Sequence, residues 1–301
     1  MSITFLSLGQ AIAEAEERNC QLADIALEYE MENSESSAEE ILGALSRALY
    51  VMRQSRALGL ERQEPSFSGL TGAEAHRLNT AVAQDGAKGS LLGAIAHSAL
   101  AGSLAIAQMN ASMGKIVATP TAGSCGILPG ALLAVAEARE LDDSHIVRAL
   151  LTASGIGLTI AKQASIAGAS GGCQAECGSA AAMAAGAIVE LLDGTPEQAG
   201  HAAALAIKSV LGLTCDPVAG LVEIPCVKRN GFGAVQALVA AELALANIPS
   251  AIPIDEVIDV MREVGQNMPA CYRETAQGGL ATTPTGLMMR MQLYSENVEN
   301  S

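Results

Sequence analysis

The segment from Cys215 to Cys226 constrains the fold more than any other stretch of this chain of 301 residues. On a continuous helix its two sulfurs would share one face but lie roughly 16 Å apart. Pro217, Gly220 and Pro225 lie between the two cysteines. Proline inside a helix removes a hydrogen bond and clashes with the preceding turn, so the segment must turn back on itself. The sequence therefore predicts a reversal that brings both cysteines to one site.

Small side chains dominate the remainder of the chain. Half of the residues are hydrophobic, yet tryptophan is absent and aromatic residues make up 2 %. A core of Ala, Leu, Ile, Val and Met implies closely packed helices, and the length suffices for one large domain. No clean period-two strand pattern is present. We therefore expect a mainly α fold, a single Ala/Gly-rich helical domain with long loops around its site.

Helical spacing and capping residues locate the helices. Apolar residues recur from Ile41 to Met52 at steps of three and four, as on one face of an amphipathic helix. Thr195 followed by Pro196 is the cap-then-proline pattern of a first turn. Short extended pieces are conceivable over 115–119 and 221–227. Further helices are predicted over 90–113, 131–139, 144–163, 178–193, 197–212 and 231–247.

Charge and hydropathy exclude several function classes. The net charge of -15 repels nucleic acid and anionic membranes, and no Lys/Arg cluster offsets it. The uncharged run over 89–114 contains His97, Gln108 and Asn110, which are too polar for a hydrocarbon span. The amino terminus has neither a basic leader nor a continuous apolar run. We expect a cytoplasmic protein that binds neither nucleic acid nor membrane.

A second candidate element is the Gly/Pro/Ser/Thr loop that runs from Met113 into a helix with Pro129 near its first turn. Free backbone N–H groups at a helix start favour an anion. Thr119, Thr121 and Ser124 add hydroxyl donors, so the loop is suited to a small carboxylate. A structural turn with capping hydroxyls explains the same pattern equally well.

The cysteines allow several interpretations. Seven cysteines, an odd count, favour thiols or metal ligands over disulfides in a reducing compartment. Cys173 and Cys177 are spaced i, i+4, which puts both sulfurs on one face of a helix. A structural zinc site needs four ligands at short spacings, which these pairs do not provide. Cys173, Cys215 and Cys226 suit a cluster with one open iron better, and simple packing residues remain an alternative.

Four blocks of the chain, IVATPTAGSCGILPG, ASIAGASGGCQAE, LGLTCDPVAGLVEIPCVKRN and YRETAQGGLATTPTG, together resemble the alpha chain of the iron-sulfur L-serine dehydratases of bacteria. The resemblance covers most of residues 65–290. It implies that Cys173, Cys215 and Cys226 hold a 4Fe-4S cluster in which one iron has no protein thiolate. That iron would polarise the hydroxyl of L-serine as a Lewis acid. Loss of water then gives pyruvate and ammonia, without pyridoxal phosphate.

The resemblance also assigns substrate residues. It implies that the 119–126 loop, including Gly123, holds the carboxylate of serine, with Asn230 and Arg273 as further candidates in matching blocks. An arginine grips a carboxylate through two parallel hydrogen bonds. The general base is not identified by the sequence. Ser124 and Ser165 are its candidates, although an unperturbed serine hydroxyl is a poor base.

The resemblance divides the chain into an amphipathic N-terminal helical segment (1–64), an iron-sulfur catalytic domain (65–290) and a tail (291–301). Single-chain relatives carry an extra domain before the catalytic one, and residues 1–64 are too short and too helical to supply it. A separate beta chain, in a heterodimer, is therefore the expected partner. Those relatives also end with a cysteine that reaches the open iron. No cysteine follows Cys271 here, so the fourth position is predicted open.

Three other functions are weighed against this hypothesis. A cysteine desulfidase-like lyase would use the same open iron to take sulfide in place of hydroxide. A pyridoxal-dependent lyase would need a run of strands and a phosphate cup, which the sequence lacks. A non-enzymatic helical scaffold would use the cysteines for packing alone.

Overall fold

The computed structural model describes residues 7–84 and 89–299, which form helices and, within those ranges, no strands. The mainly α, single-domain fold predicted from the sequence is confirmed. The helices are α1 Leu8–Arg18, α2 Leu22–Ser34, α3 Ala38–Glu61, α4 Glu74–Gln84, α5 Gly93–Ala111, α6 Ile127–Ala138, α7 Asp143–Gln163, α8 Gly168–Gly171, α9 Ser179–Leu191, α10 Pro196–Lys208, α11 Cys226–Leu245, α12 Ile254–Asn267 and α13 Pro284–Glu299.

Helix α9 is the centre of the fold. Every residue from Ser179 to Leu191 is buried, and a helix whose residues are apolar apart from Ser179 and Glu190 belongs in an interior. It packs against α6, α7, α10 and α11. Its small residues allow close approach, since a Cβ added at Gly186 would lie 2.3 Å from Cδ1 of Ile156 on α7. The close packing predicted from the composition is thus present.

Helices α5 and α6 also pack closely at a glycine, Gly130. A Cβ added at Gly130 would lie 2.7 Å from the backbone nitrogen of Ser103 on α5. The prediction that this helix starts at residue 131 is wrong, because α6 begins at Ile127. Pro129 falls in its first turn, where the missing N–H has no intrahelical partner to lose. The earlier start brings the 119–126 loop directly against a helix terminus.

The N-terminal helices contribute to the same hydrophobic core as the rest of the chain. Ser37 and Glu40 form a capping box at the start of α3, and Leu49 and Met52 on the predicted apolar face are buried. Leu8 of α1 belongs to that core. Further along, Thr195 caps α10 in a capping box with Gln198, as the cap-then-proline pattern predicted.

Two helices bear on the membrane question. The uncharged run over 89–114 forms α5, whose residues 101–108 are buried. Among the residues that the structure describes, α7 is the one helix long and apolar enough to cross a membrane by length and composition. Of its apolar window, 67 % is buried, and α7 packs against α9 and α2. It forms part of the core of this fold.

Helix α11 begins earlier than expected. Its first residue is Cys226, five positions before the predicted start at 231, so Val227 lies in a helix and not in an extended piece. Pro225 occupies the N-cap position. Helices α4, α12 and α13 were not predicted from the sequence.

Candidate active site

Cys173 lies where a chain reversal meets the central helix. Helix α8 ends at Gly171, and Gly172 follows with a φ of 75°, a conformation that favours glycine. A π-helical turn over Gln174–Gly178 then leads into α9. Such turns occur mostly as single turns, frequently at functional sites. The sulfurs of Cys173 and Cys177 lie 3.3 Å apart and both side chains are buried, consistent with their i, i+4 spacing.

Cys215 is held by the backbone of a distant segment. Its N–H donates to the carbonyl of Tyr272 at 2.8 Å, and its carbonyl accepts from the N–H of Glu274 at 2.9 Å. These bonds form a parallel bridge with Arg273. Glu274 and Ala276 have φ of 65° and 53°, values that L-residues rarely adopt and that cluster at functional sites. The segment around Arg273 is therefore fixed beside Cys215.

The predicted reversal ahead of Cys226 is present. The N–H of Val218 donates to the carbonyl of Ile224 at 2.8 Å, which closes the loop between the two cysteines. Ala219 has a φ of 56° within a short 3-10 turn. Pro225 then precedes α11, with Cys226 as its first residue. The chain therefore reverses between the two cysteines, as its prolines and glycine predicted.

The cysteine thiols share one electrostatic field. Burial raises the pKa of Cys215 well above its ordinary value, and the neighbouring Cys173, Glu176 and Cys226 raise it further. Burial, followed by the charge of Cys173, raises the pKa of Cys226 to about 12. A hydrogen bond with Cys177 is the main cause that lowers the pKa of Cys173. A bound metal deprotonates coordinating thiols outright, so metal binding at these cysteines would release protons.

The arrangement fits a cluster better than a single ion. Within residues 7–84 and 89–299, no group of three or more His, Cys, Asp or Glu side chains converges on one metal ion. A structural zinc ion needs four such ligands around one centre. In an iron-sulfur cluster each thiolate binds a different iron, so its cysteines surround a larger body. Three buried or half-buried thiols on separate segments match that requirement.

The carboxylate of Glu176 lies at the centre of the site. Its side chain lies between two glycines: a Cβ added at Gly123 would lie 2.9 Å from Oε1, and one added at Gly168 would lie 2.8 Å from Oε2. The same Cβ at Gly168 would lie 3.2 Å from both Cys215 Sγ and Glu274 Oε2. Burial raises the pKa of Glu176, and the charge of Glu274 adds to the rise. Two carboxylates and a cysteine thus converge on the Cα of one glycine.

The 119–126 loop contacts Glu176 through its hydroxyl groups. Thr121 Oγ1 donates to Glu176 Oε1 at 2.8 Å and lies 3.1 Å from Ser124 Oγ. Thr119 Oγ1 donates instead to the carbonyl of Cys125 at 3.2 Å. Ser124 is fully buried and Thr119 nearly so. The structure therefore joins Thr121 and Ser124 to Glu176, whereas the hydroxyl of Thr119 braces the loop itself.

Asn230 ties the loop to α11. Its Nδ2 donates to the carbonyls of Gly123 at 2.7 Å and Cys226 at 2.9 Å, and its Oδ1 accepts from the N–H of Gly126 at 2.9 Å. These bonds use both of its donors, so Asn230 acts on the loop and on the cysteine helix. Arg273 differs, because its Nε is buried and has no hydrogen-bond partner among the described residues.

Ser165 lies in a different environment from Ser124. Its hydroxyl accepts from the N–H of Ala167 at 3.1 Å. It lines a cavity of about 130 Å³ together with Met261 and Gly265 of α12. Of the two predicted base candidates, only Ser124 is joined by hydrogen bonds to the hydroxyl of Thr121.

Sequence reasoning missed three side chains of this site. Glu176 lies inside the block that contains Cys173, and Asp216 and Arg229 lie inside the block of the other two cysteines. All three are charged residues that the fold keeps largely from solvent, with Asp216 4 % exposed. Burial of charge requires a partner. A charged residue within three positions after a candidate ligand was the signal that could have found them.

Comparisons with known proteins identify the same family as the four sequence blocks do. The family model described as "Serine dehydratase alpha chain" matches residues 17–281. The "Probable L-serine dehydratase, alpha chain" of Bacillus subtilis is 47 % identical over 290 residues, covering 96 % of this chain and 95 % of that protein. The "L-serine dehydratase, alpha chain" of Peptoniphilus asaccharolyticus is 45 % identical over 280 residues, covering 93 % and 95 %. The longer "L-serine dehydratase" of Streptomyces coelicolor is 47 % identical over 180 residues, covering 59 % and 40 %.

Proposed function

Because the chain belongs to the serine dehydratase alpha-chain family, we propose that it is a lyase that removes water from L-serine to give pyruvate and ammonia. The observation that carries the proposal is the meeting of three cysteine-bearing segments beside the Thr121–Glu176 hydrogen bond. The names of the relatives favour serine over cysteine as the substrate, which argues against a desulfidase. The near-complete coverage of two alpha chains supports the same activity here.

Cys173, Cys215 and Cys226 would hold a 4Fe-4S cluster. Their separate segments and shared electrostatic field fit its donor set. When bound, the cluster supplies an iron without a protein thiolate, a Lewis acid for the β-hydroxyl of serine. Pyridoxal phosphate has no part in this proposal.

Arg273 would bind the carboxylate of serine. The support is its buried, unpartnered Nε, since a buried N–H without an acceptor is costly unless a ligand supplies one. The backbone bridge to Cys215 fixes the segment of Arg273 next to the cysteine site. Gly123 and the hydroxyl of Thr121 would line the opposite wall, held in place by Asn230.

Ser124 would handle the proton removed from the α-carbon of serine. A serine hydroxyl needs an adjacent partner to act on a proton. Thr121 Oγ1 lies 3.1 Å from Ser124 Oγ and is itself hydrogen-bonded to Glu176. Ser165 has no corresponding role in this proposal, since its hydroxyl accepts a backbone N–H beside α12.

A beta chain would complete the enzyme as a heterodimer in the cytoplasm. The printed names of the two long matches designate them alpha chains, which implies a second chain. The Streptomyces relative carries about 60 % of its length outside the match, consistent with further domains in one polypeptide. A reducing cytoplasm would keep the seven cysteines as thiols.

The decisive experiment is anaerobic purification with a co-expressed beta chain, followed by iron analysis and a serine-to-pyruvate assay. We expect about four irons per alpha chain, the content of a 4Fe-4S cluster, and pyruvate from serine faster than from cysteine. Cys215→Ser should lose both iron and activity. Cys20→Ser is the matched control, because Cys20 is a half-buried thiol near the end of α1. A colourless, iron-free protein that still releases pyruvate would overturn the proposal.

A further inference from the structure

Arg229 follows Cys226 in α11 and binds the segment that contains Cys215. It lies three residues after Cys226 in the first turn of α11, and its side chain is 17 % exposed. Its Nη1 donates to the carbonyl of Thr214 at 2.7 Å, and its Nη2 donates to Asp216 Oδ1 at 3.0 Å. One guanidinium therefore holds both neighbours of Cys215.

The segment of Cys173 is joined to the same network through the backbone. The N–H of Gln174, which follows Cys173, donates to the carbonyl of Leu213 at 3.1 Å, and Leu213 precedes Thr214, whose carbonyl accepts from Arg229. Cys173 precedes α9, whereas Arg229 belongs to α11. These bonds thus join the third cysteine segment to the other two.

Asp216 extends this network to the segment that follows Arg273. Its Oδ2 accepts from the N–H of Leu280 at 2.8 Å. Gly279 has a φ of 59°, and a Cβ added there would lie 2.4 Å from Asp216 Oδ2. Only glycine fits at that approach. Asp216 is thereby fixed from two sides, which in turn fixes the acceptor of Arg229.

We infer that Arg229 is the positioning residue of the cysteine site, which sets the relative placement of Cys173, Cys215 and Cys226. The inference rests on the proposed function. Hydrogen bonds and charge near the sulfurs are two of the levers by which a protein tunes a cluster. Arginine suits the task because its rigid fork serves several acceptors at once, which a lysine ammonium does not.

The test compares Arg229→Gln, Arg229→Lys and Arg262→Gln in the complex with the beta chain, loaded with iron under anaerobic conditions. Arg262 is the control, because it forms an exposed ion pair with Asp259 at 2.9 Å on α12. The readouts are the rate of iron loss to a chelator and the reduction potential of the cluster. Outer partners of metal ligands typically contribute about 10- to 100-fold in metal affinity.

From the typical contribution of outer partners to metal affinity, we expect Arg229→Gln to lose iron about 10- to 100-fold faster than wild type. Its potential should become more negative, because loss of a nearby positive charge disfavours the reduced cluster. Arg229→Lys keeps the charge, so it should restore the potential while retaining iron less well than wild type. Asp216→Asn, which removes the ion pair but keeps the side-chain shape, should accelerate iron loss in the same direction and serves if Arg229→Gln does not fold.

An iron-loaded Arg229→Gln protein with the iron-loss rate and potential of Arg262→Gln would overturn the inference and leave the proposed function intact. Asp216→Asn with wild-type iron retention would count against it in the same way. A wild-type complex that takes up no iron would overturn the proposed function and this inference together.

Discussion

Thr121 Oγ1 donates a 2.8 Å hydrogen bond to Oε1 of Glu176, a residue 55 positions further along the chain. The bond joins the loop ahead of α6 to the π-helical turn that follows Cys173. It also orients a carboxylate that lies between Gly123 and Gly168. In the proposed enzyme, the wall of the substrate site therefore depends on a hydroxyl that binds a carboxylate of the protein.

Thr121→Val should weaken catalysis and also lower the free energy of unfolding, because the largely buried Glu176 loses a hydrogen-bond donor. A hydrogen bond to a charged group contributes about 1.5–3 kcal/mol, which corresponds to about 10- to 100-fold in rate if it is needed in the transition state. We expect kcat/KM for serine to fall by that factor while iron content stays at the wild-type level. Thr80→Val, an exposed position on α4, is the matched control. Unchanged kcat/KM in Thr121→Val would show that the bond has no role in turnover.

Glu223→Ala should loosen the loop between α3 and α4. The carboxylate of Glu223 accepts from Ser66 Oγ at 2.5 Å, Ser68 Oγ at 2.6 Å and Thr71 Oγ1 at 2.7 Å. Loss of this buried acceptor leaves three hydroxyls short of a partner. We expect the free energy of unfolding to fall by about 3 kcal/mol, since each unsatisfied buried group costs about 1–3 kcal/mol.

Urea unfolding and amide hydrogen exchange measure this effect. The exchange of the amides over residues 66–72 should accelerate more than that of α9. Glu61→Ala, an exposed glutamate at the last position of α3, should leave both unchanged. Equal protection of residues 66–72 in wild type and Glu223→Ala would contradict the assignment of Glu223 as the anchor of this loop.

Local chemistry made part of this structure predictable. The reversal between Cys215 and Cys226 follows from prolines, which act on their own backbone wherever the chain lies. The start of α10 follows from Thr195 and Pro196 for the same reason. The composition predicted close helix packing because, without tryptophan and with 2 % aromatic residues, the core has to be built from Ala, Leu, Ile, Val and Met.

Contacts between residues far apart in the sequence could not be predicted from local chemistry. The partner of Thr121 is set by how α9 packs in the fold, and no spacing in the sequence encodes it. Arg229 could be placed in a matching block, but its hydrogen bonds to Thr214 and Asp216 depend on the closed loop. Helix α12 was missed, although Ile254, Val257, Ile258 and Met261 recur at helical spacing and are buried. That spacing is the pattern of one face of an amphipathic helix.

Glu190 should make stability depend on pH in a defined direction. Burial raises its pKa above the ordinary value of 4.5, although its bonds from Thr152 and from the N–H groups of Leu22 and Ala23 partly oppose the rise. A carboxyl with a raised pKa in the folded state stabilises the fold below its ordinary pKa. That contribution is lost as the pH rises through the folded pKa.

Comparison with Glu190→Gln isolates this titration. We expect the free energy of unfolding of wild type, relative to the variant, to decrease as the pH rises from the ordinary value of 4.5. Urea unfolding of both proteins at a series of pH values measures the difference, and all other titrations cancel. A difference that grows in favour of wild type with rising pH would mean that the bonds to α2 and Thr152 outweigh burial.

Gly130→Ala and Gly43→Ala should have opposite effects on stability, although both replace a glycine within a helix. At Gly130 the added Cβ would lie 2.7 Å from the backbone nitrogen of Ser103, and backbone cannot move aside as a side chain can. Overpacking of this kind costs about 1–3 kcal/mol. At Gly43 the nearest atom is the end of the flexible Arg47 side chain at 3.5 Å, an ordinary contact.

Alanine at Gly43 should therefore stabilise the protein by about 0.5–1 kcal/mol through its better helix propensity. Thermal and urea unfolding of the two variants test both signs at once. If Gly130→Ala were as stable as Gly43→Ala, α5 and α6 would have to move apart without any loss in the free energy of unfolding. The helix that follows the 119–126 loop would then be free to shift, and the loop could not hold Thr121 against Glu176 as the structure places it.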